Sequence, residues 1–315
     1  MRISVLSGKG GTGKTLVSTN LAWVLQDCIY IDCDIEEPNG AIFLKPEIEM
    51  RKDVSVNVPR INEDKCRGCR ECVSFCRFNA LAYIKDKLKV EENCLNCGRC
   101  EELCRFGAIE NGRVNIFDCE GCGVCEYFCT AREKNGISAI RLKDNVSGYT
   151  YLSRIDGELF SHAELKTGNG ASGKLVTEVR KKLFNNISNE ELLIIDGSPG
   201  IGCPVIASIT GADMALVVAE PTLSGLHDMK RIVETARRFG TECVVCINKH
   251  DINPEITRKI EEYCDNEGIY NAGRIPYDPI VPEAININKS IVEYPESSAC
   301  KAVKELWKNL SGILS

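Results

Sequence analysis

The run Gly8-Lys9-Gly10-Gly11-Thr12-Gly13-Lys14-Thr15 restricts the fold of this chain more than any other feature in it. It follows the short apolar stretch Ile3-Ser4-Val5-Leu6 and leads into a helical pattern through Leu21 and Trp23. A strand that turns through glycines straight into a helix is the first half of a βαβ unit, and such units build parallel sheets covered on both faces. The run satisfies G-x-x-x-x-G-K-[ST]. Glycines at 8, 10, 11 and 13, with Thr12 between them, let consecutive backbone N–H groups curl around phosphate oxygens at a helix N-terminus, where the helix dipole also favours negative charge. Lys14 is then placed to add charge at the β- and γ-phosphates, and Thr15 to set a hydroxyl on magnesium.

The rest of the chain agrees with that beginning. Leu192-Leu193-Ile194-Ile195, Met214-Ala215-Leu216-Val217-Val218 and Val244-Val245-Cys246-Ile247 are short, continuously apolar runs of the kind found in strands buried on both faces. Helical patterns lie between and around them, from Leu175 to Leu183, Leu226 to Phe239 and Ile256 to Cys264. The βαβα order implies a doubly wound, mostly parallel α/β sheet.

Cysteine interrupts this pattern. Of the 19 in the chain, twelve lie between Cys66 and Cys129. They fall into three runs of one spacing, C-x-x-C-x-x-C-x-x-x-C: Cys66, Cys69, Cys72 and Cys76; Cys94, Cys97, Cys100 and Cys104; Cys119, Cys122, Cys125 and Cys129. Zinc ribbons use two separated pairs, whereas three thiolates on one tight loop followed by a fourth match the bacterial ferredoxin run that holds a 4Fe-4S cubane. In two-cluster ferredoxins the fourth cysteine ligates the other cluster, which assigns Cys76 to a second site and Cys104 to the first. Each unit ends in a similar apolar signature, Asn79-Ala80-Leu81, Gly107-Ala108-Ile109 and Ser138-Ala139-Ile140. The expected organisation is a phosphate-binding α/β domain of residues 1–57 and 149–315, with an inserted ferredoxin-like α+β domain at 58–148. Three half-units predict two or three clusters. The third cassette, with Thr130 to Asn135 after its last cysteine, is the one expected to deviate. Arg77, Arg105 and Thr130 stand where the ferredoxin run has proline, which bears on reduction potential and not on ligation.

Composition excludes several other readings. The net charge of -6, with no basic run of five residues, argues against a nucleic-acid surface. No apolar stretch approaches the length of a membrane span, and the glycine run begins too early to leave room for a signal peptide, so a cytoplasmic location without stable membrane insertion is expected. In a reducing compartment most of the cysteines are expected to bind metal or clusters, and three histidines are few for a His-rich metal site.

The second loop lysine narrows the family. Lys9-Gly10-Gly11-x-x-Lys14-Thr15 resembles the deviant Walker A motif of the MinD, ParA, Mrp and nitrogenase iron-protein group of P-loop NTPases. Two further segments resemble the same group: Ile31-Asp32-Cys33-Asp34, and Leu193-Ile194-Ile195-Asp196-Gly197-Ser198-Pro199-Gly200, the counterpart of Walker B and switch II. The resemblance implies ATP hydrolysis with Mg2+ in a homodimer, Lys9 reaching across to the partner's phosphates. It implies that Asp34 positions the attacking water, that Asp32 lies nearer the metal, that Asp196 holds magnesium and that the Gly200 amide senses the γ-phosphate. Asn248, after one strand, and Pro276, in Arg274-Ile275-Pro276-Tyr277-Asp278 after another, match the family's adenine pocket.

The whole chain looks like MinD-superfamily ATPases that carry an inserted ferredoxin domain. That resemblance implies nucleotide-driven dimer switching coupled to electron transfer through 4Fe-4S clusters toward a redox acceptor protein. The alternative is an iron-sulfur or metal-cofactor assembly carrier of Mrp type that delivers to an acceptor. Cys203, seven residues after Asp196, stands at a position similar to that of a bridging-cluster ligand of nitrogenase iron protein, but no cysteine near Gly168-Asn169-Gly170 supplies the second, and a small buried helix residue is the alternative. A membrane-positioning ATPase would need an amphipathic C-terminal anchor; Ala299 to Leu314 is amphipathic and reads more simply as a helix docked on the sheet. Cys243 and Cys246, a C-x-x-C within a strand, point to opposite faces and are expected to be core filler.

Overall fold

A computed structural model describes residues 1–61, 81–84, 87–90, 109–110, 113–114, 140–166, 172–184 and 191–314. In chain order the strands are β1 Arg2–Leu6, β2 Ile29–Asp32, β3 Glu47–Ile61, β4 Leu81–Ile84, β5 Lys87–Val90, β6 Ile109–Glu110, β7 Arg113–Val114, β8 Ile140–Ile155, β9 Glu158–Leu165, β10 Leu193–Asp196, β11 Met214–Ala219, β12 Glu242–Asn248 and β13 Tyr270–Ile275. The helices are α1 Lys14–Leu25, α2 Gly40–Leu44, α3 Ser172–Phe184, α4 Cys203–Ile209, α5 Leu223–Arg238, α6 Pro254–Glu267, α7 Ile280–Asn286 and α8 Ser298–Leu314. The chain divides into one unit of residues 1–52, 149–164 and 172–315, and a second of 53–148 and 165–171.

The sheet runs β13-β12-β11-β1-β10-β2-β9-β8-β3. β13 through β9 pair in parallel from neighbour to neighbour. β1 sits at its centre with β10 on one side and β11 on the other, so successive crossovers wind in both directions away from it. β8 and β9 are joined through Asp156 and Gly157, both at positive φ, the two-residue turn that suits the twist of a hairpin.

Strand alternation divides the first unit's core between the two faces. Met214, Leu216, Val218, Val244 and Cys246 pack with Val17 and Leu21 of α1 and with Ala299, Cys300, Val303, Leu306 and Leu310 of α8. Ala215, Val217, Cys243, Val245 and Ile247 pack instead with Val205 of α4, Met229 and Ile232 of α5, and Ile256 and Ile260 of α6. Each fully buried branched side chain contributes roughly 1.5–3 kcal/mol, which fixes the helices on both faces. Cys243 and Cys246 fall on opposite faces as free, buried thiols, in agreement with the strand reading. The apolar stripe of α8 is likewise spent on the sheet, and Asn309 Nδ2 donates to the Ala272 carbonyl at 2.8 Å.

In the second unit the described segments include two antiparallel hairpins. β4 pairs with β5 in the register Leu81 to Val90, and β6 with β7 in the register Ile109 to Val114. The last residue of each apolar signature, Leu81, Ile109 and Ile140, opens a strand. The twelve cassette cysteines from Cys66 to Cys129 lie outside the described residues.

Candidate functional site

Parallel strands present their C-terminal ends together, and here those ends carry the residues singled out in the sequence for the nucleotide. Gly8–Thr15 follows β1, Asp32 ends β2 with Asp34 just beyond, Asp196 ends β10 with Gly200 in the next loop, Asn248 ends β12 and Pro276 follows β13. This is the crevice where open α/β sheets bind ligands, at the point where strand order reverses.

The phosphate loop is held open by its backbone. Gly11 and Gly13 have φ of +79° and +92°, the left-handed region that penalises a side chain. α1 starts from Gly13 without a side-chain cap, in contrast to α5, where Thr222 accepts from Gly225 N, and α6, where Asn253 accepts from Ile256 N. Its first turn contains no acidic residue and begins with a lysine, which opposes the helix dipole until an anion arrives. Asn248 closes the loop from behind. Its Nδ2 donates to the Thr12 carbonyl at 2.7 Å while its Oδ1 accepts from Lys249 N at 3.0 Å.

Lys14 is the electrostatic centre. Its Nζ lies 2.7 Å from Asp196 Oδ1 and 3.3 Å from Asp34 Oδ2, and the side chain is 5% exposed. Burial alone would lower its pKa, but Asp196, Asp34 and Asp32 more than offset that and leave it raised. Burial raises Asp34, with Lys14 opposing. Asp32 is raised well above the carboxylate range by burial and then by Asp196, its register partner on the adjacent strand. Both Asp32 oxygens accept backbone amides, from Asp34 at 2.9 Å and from Gly40 at 2.9 Å, so this side chain shapes the loop that presents Asp34. Asp196 Oδ2 is buried and accepts no hydrogen bond among the described residues. That unsatisfied anionic oxygen, with the Thr15 hydroxyl one residue from Lys14, fits a divalent cation of the Mg2+ type, which would neutralise charge between phosphate oxygens.

The remaining predicted residues are engaged as follows. The Gly200 amide donates to the Ser7 carbonyl at 2.9 Å. Lys9 Nζ lies 3.3 Å from Glu220 Oε2 and 3.3 Å from Ser224 Oγ, both in its own chain. Pro276 is half-buried beside Tyr277, whose amide donates to Asp251 Oδ1 at 2.7 Å. Cys203 opens α4. Among the described residues no group of three or more His, Cys, Asp or Glu is arranged to hold a metal ion, and no helix is long and apolar enough to cross a membrane.

Two residues at the site escaped the sequence reading. Glu220 shares its carboxylate between Lys9 and Lys249, the latter at 3.0 Å; burial raises its pKa but the two lysines leave it lowered. Its signal was available, since a carboxylate ends the apolar run of β11 at the same edge as the motifs. Tyr30 is fully buried, stacks on Phe160 at 5.4 Å and shares a 2.8 Å hydroxyl hydrogen bond with Ser18 of α1. An aromatic residue inside a strand gives no comparable sign.

Comparison with known proteins agrees with this geometry. Residues 3–291 match the family model for the CobQ/CobB/MinD/ParA nucleotide binding domain. The chain is 31% identical over 318 residues to the uncharacterized protein MJ0578 of Methanocaldococcus jannaschii, spanning 100% of this chain and 98% of that one. It is 28% identical over 152 residues to the iron-sulfur cluster carrier protein of Pyrococcus furiosus, a match to 44% of this chain and 52% of the carrier. The cell division ATPase MinD of Pyrococcus furiosus shares the fold, with a TM-score of 0.54 at 18% identity over 99% of this chain and 98% of that chain. Lys14, Asp34 and Asp196 thus meet at the C-terminal ends of the parallel strands in a chain matched almost end to end, which belongs to the MinD/ParA/CbiA superfamily of P-loop ATPases.

Proposed function

We propose that this protein is an ATP-hydrolysing iron-sulfur carrier of Mrp type, which takes up clusters and releases them to an acceptor protein under nucleotide control. The observation that carries the reading is the joining of two parts in one chain. One is a phosphate loop whose lysine is buried against Asp34 and Asp196; the other is twelve cysteines in three ferredoxin-spaced cassettes. Two features support it: the sequence shared with a cluster carrier, and the recurrence of a strand start just after each cassette.

In this reading ATP occupies the loop Gly8–Thr15, with Asn248 and Pro276 toward the base. Asp196 and Thr15 hold Mg2+, whose charge offsets that of the phosphates, and Asp32 lies close behind. Lys14 binds the β- and γ-phosphates and Asp34 orients the attacking water. Lys9 exchanges Glu220 for the phosphates of a second copy, which makes the active form a homodimer. The inserted domain, proposed to span 58–148, has the ferredoxin-like form and binds two or three 4Fe-4S clusters. The ATPase part is proposed to span 1–57 and 149–315.

Electron transfer is the second reading, favoured by one specific feature: each cassette carries all four thiolates, the mark of stable redox clusters. Protein purified anaerobically and reconstituted with iron and sulfide separates the two. Transfer of a cluster to an apo-acceptor, accelerated by Mg-ATP, supports the carrier. Retention of all clusters with an ATP-dependent shift in potential supports electron transfer. Zinc in place of iron, or failure to bind Mg-ATP, refutes both.

A further inference from the structure

The loop that follows β10 and the helix it feeds are held by hydrogen bonds at both ends, beginning with the Gly197 amide, which donates to the Val5 carbonyl at 2.9 Å. Ser198 Oγ donates to the Cys33 carbonyl at 2.6 Å, which ties the loop to the segment carrying Asp34. The Gly200 amide bonds the Ser7 carbonyl at the entrance to the phosphate loop. At the far end of α4 the guanidinium of Arg180, from α3, donates through Nη1 to the Ala207 carbonyl and through Nη2 to the Thr210 carbonyl. Arg180 is 5% exposed.

A planar fork set on the last carbonyls of a helix satisfies acceptors that lack intrahelical partners, at the end where the dipole favours a cation. α4 is only seven residues long, and its apolar side, Val205 and Ile209, rests on the same core cluster as β11. A short hydrogen-bonded rod that continues from a loop tied to the segments carrying Ser7 and Asp34, and whose last residues are held by one side chain, passes displacement along its axis. α3 in turn begins at Ser172, directly after residues 165–171, which belong to the second unit.

We infer that Arg180 is a positioning residue that couples α4 to α3, so that movement of the loop 197–200 on nucleotide binding reaches the helix adjoining the second unit in the chain. The inference rests on the nucleotide reading above and adds to it a route and a residue. Lysine at 180 keeps the charge but cannot offer two coplanar donors to carbonyls three residues apart, so it breaks the coupling while preserving most of the packing. Glutamine keeps a polar head without the charge.

Hydrogen–deuterium exchange on the full chain, with and without magnesium and a non-hydrolysable ATP analogue, tests this. In the wild type, residues 9–15 become protected and exchange across 172–184 changes by about fivefold or more, the low end of allosteric coupling. In Arg180→Lys and Arg180→Gln, protection of 9–15 and the change at 197–200 persist, whereas the response across 172–184 falls below about twofold. Packing damage alone would alter α3 with or without nucleotide and would not erase the difference between the two states. Unchanged exchange across 172–184 in a wild type protected at 9–15 overturns the coupling. A full response in Arg180→Lys overturns the role of Arg180. No protection at 9–15 in the wild type overturns the nucleotide reading and this inference together. Arg180→Lys retains charge and length, so the test stands even where Arg180→Gln does not fold, and the wild-type arm decides the coupling by itself.

Discussion

Adding one methyl group at successive glycines of the phosphate loop separates what backbone conformation requires from what packing requires. Among the described residues a Cβ on Gly10 meets nothing within 4 Å, and its φ is not positive. On Gly11 it also meets nothing, but φ is +79°. On Gly13 φ is +92°, and the new atom would lie 2.2 Å from Asn248 Nδ2 and 3.3 Å from its Cγ. A side chain in the left-handed region costs about 1–2 kcal/mol. Asn248 is 3% exposed and has nowhere to retreat. Its displacement breaks the 2.7 Å bond to the Thr12 carbonyl and leaves a buried amide unsatisfied, for about 1–3 kcal/mol more.

The expected destabilisation is therefore within about 0.5 kcal/mol of zero for Gly10→Ala, about 1–2 for Gly11→Ala and about 2–5 for Gly13→Ala. Urea unfolding of the nucleotide-free protein, followed by tryptophan emission, measures it: the chain's two tryptophans, Trp23 and Trp307, pack on one core cluster of the first unit. The decisive comparison is a double-mutant cycle. In an Asn248→Ala background the clash disappears, and Gly13→Ala should fall to the conformational cost alone, a coupling of about 1–3 kcal/mol. Equal costs at Gly11 and Gly13, or a Gly13→Ala cost unaltered by Asn248→Ala, would refute the reasoning.

Three further perturbations follow from the same geometry. Asp34→Ala should slow phosphate release by about 10²–10⁴-fold while nucleotide affinity stays within about tenfold; equal loss of both shows that Asp34 serves binding. Lys9→Ala should change stability by less than about 1 kcal/mol, because Lys9 is 37% exposed where it meets Glu220, yet abolish nucleotide-dependent dimerisation in light scattering. Burial, partly countered by Glu164, holds the His162 imidazole down at about 4. A folded pKa below the unfolded value of about 6.5 means that protons favour the unfolded chain, so this contribution is intact above about pH 6.5. It is lost as pH falls from there, up to about 3 kcal/mol at pH 4. His162→Phe, which keeps a ring against Tyr151, should flatten that slope in unfolding midpoints measured from pH 7 to 4.5.

The parallel half of the fold was legible because its strands are buried on both faces: Leu193–Asp196, Met214–Ala219 and Glu242–Asn248 each contain an unbroken apolar run. The sheet's continuation through β9, β8 and β3 was not. β9 reads Glu-Leu-Phe-Ser-His-Ala-Glu-Leu and buries Ser161 and His162, while the start of β3 carries Glu47, Glu49, Arg51, Lys52 and Asp53 on an exposed edge. Propensity reads such segments as loop, and only pairing partners make them strands. At the site, motif order located the strand ends, because a local glycine loop and local aspartates announce themselves. The partners of Asn248 and Lys9 could not be read, since Thr12 and Glu220 are more than 200 residues away in sequence and meet them only through the fold.

That long-range arrangement also sets how nucleotide and metal depend on each other. Lys14 faces three carboxylates, and its Nζ lies 2.7 Å from Asp196 Oδ1. In the proposed reading Lys14 must leave that carboxylate to reach the β- and γ-phosphates, and the second carboxylate oxygen lacks a partner among the described residues. Without a divalent cation the move strands a buried anion, at a cost of about 3–5 kcal/mol. ATP in excess EDTA should therefore bind at least about 100-fold more weakly than Mg-ATP, and Asp196→Asn should shrink that ratio toward one by removing the anion. Titration of the purified chain with a fluorescent ATP analogue measures all four affinities. Equal wild-type affinities with and without magnesium would show that Lys14 already points to the phosphates, and that its contact with Asp196 does not compete with binding.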